Sequence, residues 1–126
     1  MKKKILVVDD EVDIANLVKL ILDPVGFEVE AVCDPSLAFE AAKRFRPDAV
    51  LLDLLMPGLD GWEIFSQLRN DPDFRAIPIA ILTAKSKGVD QMVGLHVMKA
   101  DSYITKPFGI QELIDKTNEL FRKKTE

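Results

Sequence analysis

Asp48-Ala49-Val50-Leu51-Leu52-Asp53-Leu54-Leu55-Met56-Pro57-Gly58-Leu59-Asp60-Gly61 decides how the rest of this sequence is read. A near-continuous apolar run is the pattern of a strand buried on both faces, and Pro57-Gly58 predicts a turn that ends it. Asp53 is thereby delivered to the strand's C-terminal end. In an open parallel sheet that edge is where ligands bind, because the loops leaving the strands splay apart into a crevice. Taken alone, Asp53 reads as readily as a surface cap, since carboxylates favour places where strands give way to turns.

The flanking chain repeats the arrangement. Ile5-Leu6-Val7-Val8 is a short apolar strand stopped by Asp9-Asp10-Glu11, and Pro78-Ile79-Ala80-Ile81-Leu82 is another, ending in Thr83-Ala84. Ser102-Tyr103-Ile104-Thr105 is a fifth strand that runs directly into Lys106-Pro107-Phe108. Glu28-Val29-Glu30-Ala31-Val32 alternates polar with apolar, so it is expected at or near a sheet edge.

Between the strands lie helix patterns. Ile14, Leu17, Val18, Ile21 and Leu22 form one face of a first helix, stopped by Asp23-Pro24 and Gly26. Asp34-Pro35-Ser36 opens a second, with Leu37, Ala38, Ala41, Ala42 and Phe45 inward, and Arg46-Pro47 breaks it. Gly61-Trp62-Glu63 opens a third, with Ile64, Phe65 and Leu68 inward and Trp62 as a partly buried anchor. A fourth, around Val89, Met92, Val93 and His96, is weakened by Gly88 and Gly94 and is expected to be the most mobile. A final helix carries Ile110, Leu113, Ile114, Thr117, Leu120 and Phe121 on one face. Five strands alternating with five helices predict an α/β fold, a parallel sheet with helices on both faces and right-handed crossovers.

Length and composition set bounds. At 126 residues the chain has room for one ordinary domain, expected over 1–126, and 48% hydrophobic against 30% charged residues is a globular composition. A net charge of −4 argues against direct nucleic-acid binding, and the basic runs Lys2-Lys3-Lys4 and Arg122-Lys123-Lys124 read as solvated termini. A single cysteine, Cys33, allows neither an internal disulfide nor a cysteine metal cluster and reads as a small half-buried apolar residue. With no export signal or membrane span in the pattern, a reducing, cytoplasmic setting is expected.

The predicted sheet brings Asp9, Asp10, Glu11, Asp53, Thr83 and Lys106 to one edge. Crowded carboxylates repel unless one is protonated or a cation joins them. Oxygen ligands suit Mg²⁺, with Mn²⁺ as a substitute, and Mg²⁺ commonly fills its remaining positions with water and phosphate oxygens. Lys106 and Thr83 then complete an electrostatic clamp for phosphoryl transfer. A carboxylate needs no base to act as nucleophile, which makes Asp53 the candidate. His96 lies within a helix pattern and reads as structural or surface.

Over nearly its full length the sequence resembles the receiver domains of two-component response regulators. The resemblance rests on Ile5 to Glu11, Leu52 to Gly61, Leu82-Thr83-Ala84 and Tyr103 to Phe108, in that order and spacing. It implies a flavodoxin-like (βα)5 fold with strand order 2-1-3-4-5. It also implies that Asp53 accepts a phosphoryl group from a sensor histidine kinase or phosphotransfer protein. Mg²⁺ would be held by Asp10, Asp53 and the backbone carbonyl of Leu55, with Asp9 assisting through water. Lys106 would contact the phosphoryl group, Thr83 would move toward it, Tyr103 would reorient as the readout, and Lys106-Pro107 is a candidate cis peptide. Downstream proteins would meet the surface around residues 88–123, and the chain would be a monomer or a weak phosphorylation-dependent dimer.

Two departures from the family pattern stand out. Lys99-Ala100-Asp101 replaces the usual Gly-Ala-Asp, in a stretch from Leu95 to Ser102 that is one residue longer than usual. Leu55 replaces a commonly polar side chain. Leu55, and Lys85 two beyond Thr83, offer no acceptor for the proton of an attacking water, so a long phosphoryl lifetime is expected. The alternatives to a self-contained switch are a Mg²⁺-dependent phosphatase or phosphotransferase that works through an aspartyl phosphate, and a receiver excised from a larger DNA-binding regulator or hybrid kinase. The first lacks a second acid beside Asp53.

Overall fold

A computed structural model describes residues 2–56, 59–84 and 100–125. Five strands form one parallel sheet: β1 (Lys3–Val8), β2 (Phe27–Val32), β3 (Ala49–Asp53), β6 (Ile79–Ala84) and β7 (Ser102–Lys106). Their spatial order is β2-β1-β3-β6-β7, which counted over these five is 2-1-3-4-5. A separate antiparallel ribbon, β4 (Leu55–Met56) and β5 (Leu59–Asp60), follows the end of β3. Pro57-Gly58 in the sequence predicts only a turn there. The expected fourth helix, His96, Lys85 and Pro57-Gly58 all lie outside the described residues.

Strand alternation builds two cores, one on each side of the sheet. Leu6, Val8, Val50, Leu52, Ile79, Ile81 and Tyr103 face α2 (Ala38–Phe45) and α3 (Gly61–Asn70). Ile5, Val7, Ala49, Leu51, Ala80, Leu82 and Ile104 face α1 (Val12–Leu22) and the last helix, α4 (Ile110–Thr125). Every residue of β3 is buried, as its unbroken apolar run predicts.

The helix faces need three corrections. Leu17, Leu37 and Ile110 are exposed, not inward. On α1 the sheet side is taken by Ala15, Val18, Ile21 and Leu22, whose small Ala15 lets the helix lie close and leaves Leu17 on the flank. Leu37 belongs to a 3-10 turn over Pro35–Leu37, whose three-residue period turns it off the α2 stripe. Ile110 is the first residue of α4, before the helix has reached the core. The remaining inward residues of α2 and α3 are buried as expected. Trp62 is half-buried, edge-on to Phe65 at 5.6 Å between ring centres.

Chain punctuation follows local chemistry. Asp34 Oδ1 accepts the backbone N–H of Ser36 at 3.0 Å and its hydroxyl at 2.7 Å, which fixes the turn into α2. Gly26 ends the turn after α1 at φ 104°, where a side chain would be strained. β2 is an edge strand, as its alternation predicts, and Lys19 Nζ donates to the carbonyl of Val29 at 3.0 Å while pairing with Asp23 at 3.2 Å.

Asp101 ties together the entry to β7. Its Oδ2 accepts the backbone N–H of Ile79 at 2.8 Å and Arg69 Nη2 at 2.7 Å, while Arg69 Nη1 donates to the carbonyl of Ile77 at 2.8 Å. One side-chain pair thus joins the end of α3, the start of β6 and the approach to β7.

Candidate functional site

Parallel pairing places the ends of β1, β3, β6 and β7 at one edge. Val8 is level with Leu52, Asp53 with Leu82, and Ala84 with Lys106. Asp9 continues from β1, its N–H donating to the carbonyl of Val32 at 3.1 Å. Asp9 is fully buried and Asp53 is 3% exposed. Carboxylate oxygens of Asp9, Asp10 and Asp53 lie within 4.8 Å of one another.

Lys106 reaches back from the end of β7 into this acid group. Its Nζ lies 2.7 Å from Asp9 Oδ2, 3.0 Å from Glu11 Oε1 and 3.4 Å from Asp53 Oδ2. Burial works against the ammonium charge, but hydrogen bonding to Asp9 and Glu11 and the charge of Asp53 outweigh it and hold Lys106 above the ordinary lysine range. Because the folded value is the higher one, the stabilisation from Lys106 is fully present below the unfolded pKa of about 10.4 and is lost only as pH rises beyond it. Lys106→Ala is therefore expected to cost about 2 kcal/mol, since it leaves buried charge unpaired. That loss should be constant from about pH 6 to 9 and shrink above about pH 10.5. Denaturant titrations of both proteins across that range check it, and a loss that fades through neutral pH would point to another group.

Other parts of the sequence-predicted site fall as follows. Thr83 lies in β6 with its backbone level with Thr105, at the same edge. Leu55 begins the ribbon two residues after Asp53 and is level with Asp60. Tyr103 is buried against the α2–α3 core. The Lys106–Pro107 peptide bond is cis. Cys33, just past β2, is free and half-buried, and burial pushes its thiol up, with Asp9 and Asp10 adding to the shift.

Two features were not predicted from sequence. The strand pattern places Glu11 among the acids at the edge, but its pairing with Lys106 links positions 95 residues apart and has no local signal. Gly61 packs directly on the backbone that follows Asp53. A Cβ placed there would lie 2.5 Å from Leu54 Cα and 2.6 Å from the Asp53 carbonyl oxygen.

An acid cluster crossed by one part-buried ammonium can hold a hard cation and neutralise a phosphoryl group at the same point. Among the described residues, no helix is long and apolar enough to cross a membrane.

Comparison with known proteins agrees with this geometry. A family model described as "Response regulator receiver domain" matches residues 5–118. The "DNA-binding response regulator MtrA" of Mycobacterium tuberculosis (strain ATCC 25618 / H37Rv) is 39% identical over 123 residues, covering 98% of this chain and 52% of that protein. The chain thus spans about half the length of the curated relatives it matches. A putative response regulator from Chloroflexus aurantiacus J-10-fl superposes with a TM-score of 0.89 at 30% identity, covering 97% of this chain and 99% of that one. The chemotaxis response regulator CheY4 of Vibrio cholerae gives 0.87 at 28% identity, covering 95% and 99%.

Proposed function

The chain belongs to the response regulator receiver domain family of two-component signalling, and we propose that it is a phosphorylation-controlled switch with Asp53 as the phosphoacceptor. The observation that carries this reading is Lys106 Nζ standing between the buried carboxylates of Asp9 and Asp53, at 2.7 and 3.4 Å. Asp53 alone is the terminal residue of the central strand and in reach of both the other acids and the ammonium.

In this reading a carboxylate oxygen of Asp53 attacks phosphorus in line. The bond from phosphorus to the donor nitrogen of a kinase or phosphotransfer-protein phosphohistidine breaks, and its electron pair stays with the imidazole. Asp53 needs no general base, because it attacks as the anion. Lys106 exchanges carboxylate contacts for the transferred oxygens and offsets their charge. Asp9, Asp10 and Asp53 form an all-oxygen set that fits Mg²⁺ or Mn²⁺, which Asp10, Asp53 and the Leu55 carbonyl would hold directly while Asp9 would assist through water. The bound ion would supply positive charge to the phosphoryl oxygens.

Thr83 would then donate its hydroxyl to the phosphoryl group, and Tyr103 would carry the change to a surface within 88–123 that a downstream protein reads. The chain would catalyse only its own phosphorylation and dephosphorylation. A second reading has one observation in its favour: the half-length match to relatives described as DNA-binding response regulators supports a receiver that governs an attached output domain.

The test is chemical mapping. Incubation with acetyl phosphate and Mg²⁺ is expected to add one phosphoryl group by intact mass, and borohydride reduction of the adduct should convert Asp53 alone to homoserine. An adduct mapped to another residue, or none at all, overturns the reading.

A further inference from the structure

We propose that Glu11 is a positioning residue for phosphoryl transfer, holding one N–H of Lys106 in the resting protein and surrendering it to the incoming phosphoryl group. The inference rests on Asp53 being the phosphoacceptor and adds a residue to that reaction.

An ammonium has three N–H donors, and Lys106 has three carboxylates around it. The distances are unequal. Asp9 and Glu11 lie at 2.7 and 3.0 Å, and Asp53, the group to be phosphorylated, is farthest at 3.4 Å. The resting ammonium is thus drawn toward the acids that do not react. Of the three side chains, Asp9 and Asp53 are buried at strand ends, whereas that of Glu11 is 60% exposed. Only Glu11 can be returned to water at little cost when a phosphoryl oxygen takes its place.

Local structure shows that this contact is not incidental to helix formation. Glu11 occupies the N-cap of α1, where a short polar side chain ordinarily accepts a helix N–H, yet its side chain makes no capping bond. It reaches across to Lys106 instead. Its backbone is fixed for that reach, because its N–H donates to Asp9 Oδ1 at 2.9 Å. Asp9 therefore holds both the ammonium and the turn that carries the competing acid.

Two consequences follow for an anionic donor. Glu11 must release Lys106 before the lysine can serve the phosphoryl group, and its charge at the mouth of the site repels a dianion on approach. Acetyl phosphate transfers its phosphoryl group as the Asp53 oxygen bonds to phosphorus and the phosphorus–oxygen bond to acetate breaks, acetate leaving with the electron pair. Glu11→Gln removes the charge and weakens the competing contact while keeping the side chain's shape. Phosphorylation by low acetyl phosphate should then be about fivefold faster, the scale of one like charge removed near 4 Å. The gain should be smaller with phosphoramidate, which carries less net negative charge at neutral pH, and should diminish in high salt.

The experiment compares wild type, Glu11→Gln and Glu11→Ala with both donors, and follows the Lys106 ammonium by ¹H–¹⁵N NMR in the metal-free proteins. Faster exchange of the Lys106 ammonium protons with water in both variants, with the donor-dependent gain in rate, is the expected result. A wild type that phosphorylates on Asp53 while the variants match it in rate and in ammonium exchange overturns the role of Glu11 and leaves the phosphoacceptor standing. A wild type that takes up no phosphoryl group overturns both.

Discussion

Asp53→Asn is expected to abolish phosphoryl uptake completely and, in the same variant, to raise resistance to denaturant by about 1 kcal/mol. The first effect follows because the amide is not a nucleophile of the carboxylate kind and no other acid among the described residues has the same placement. The second follows from counting charge. Among the described residues, Asp9, Glu11 and Asp53 surround one ammonium, Asp10 adds a fourth negative charge beside Asp9 and Asp53, and Asp53 has the longest of the three contacts to the ammonium. Removing one negative charge from that group relieves more repulsion than the lost attraction costs. Asparagine keeps the side chain's size, so packing at the end of β3 is undisturbed. Intact mass after acetyl phosphate and urea titrations with and without Mg²⁺ read both effects. Mg²⁺ should stabilise the wild type and have little effect on the variant. An adduct that persists would overturn Asp53 as the phosphoacceptor, and a variant less stable than the wild type would overturn the account of charge repulsion.

Gly61→Ala is expected to lower stability by about 3 kcal/mol, at the upper end for insertion of one methyl group into a packed site. The methyl would stand 2.5 Å from Leu54 Cα and 2.6 Å from the Asp53 carbonyl oxygen, and both are backbone atoms that cannot rotate away. Relief requires α3 to lift from the end of β3, which breaks the bond from the Gly61 N–H to the Leu54 carbonyl at 3.2 Å. The same shift would move the peptide that carries Asp53, so phosphorylation by acetyl phosphate should slow along with the loss of stability. Gly109→Ala is the control, because a Cβ there meets nothing within 4 Å. Equal stability of Gly61→Ala and wild type in a urea titration would show that the contact relaxes freely.

Much of this architecture was legible because it is written in local patterns. The unbroken apolar run of Ala49 to Leu52 signals a strand covered on both faces, and the alternation at Glu28 to Val32 signals the edge, as found. The acids at Asp9, Asp10 and Asp53 could be assigned to one edge because parallel strands all finish there. Features decided by distant partners were not legible. Leu17 fits the helical period as well as Val18 does, and only the position of the sheet leaves it outside while Ala15 goes in. The ribbon over Leu55–Met56 and Leu59–Asp60 is too short to show a period at all. The close approach of Gly61 to Leu54 and the reach of Glu11 to Lys106 depend on chain positions set by the completed fold.

Lys19 of α1, which donates to the outer strand β2, bears on how copies of this protein meet one another. An open strand edge is a template on which another chain can pair. In β2 the Val29 carbonyl is already occupied by Lys19, which Asp23 holds in place one helical turn away. A second molecule laid against that edge would have to displace a cation and strand it beside its own backbone. At the β2 side of the sheet, one of its two edges, an ammonium carried by α1 thus stands in the way of strand-to-strand pairing between copies.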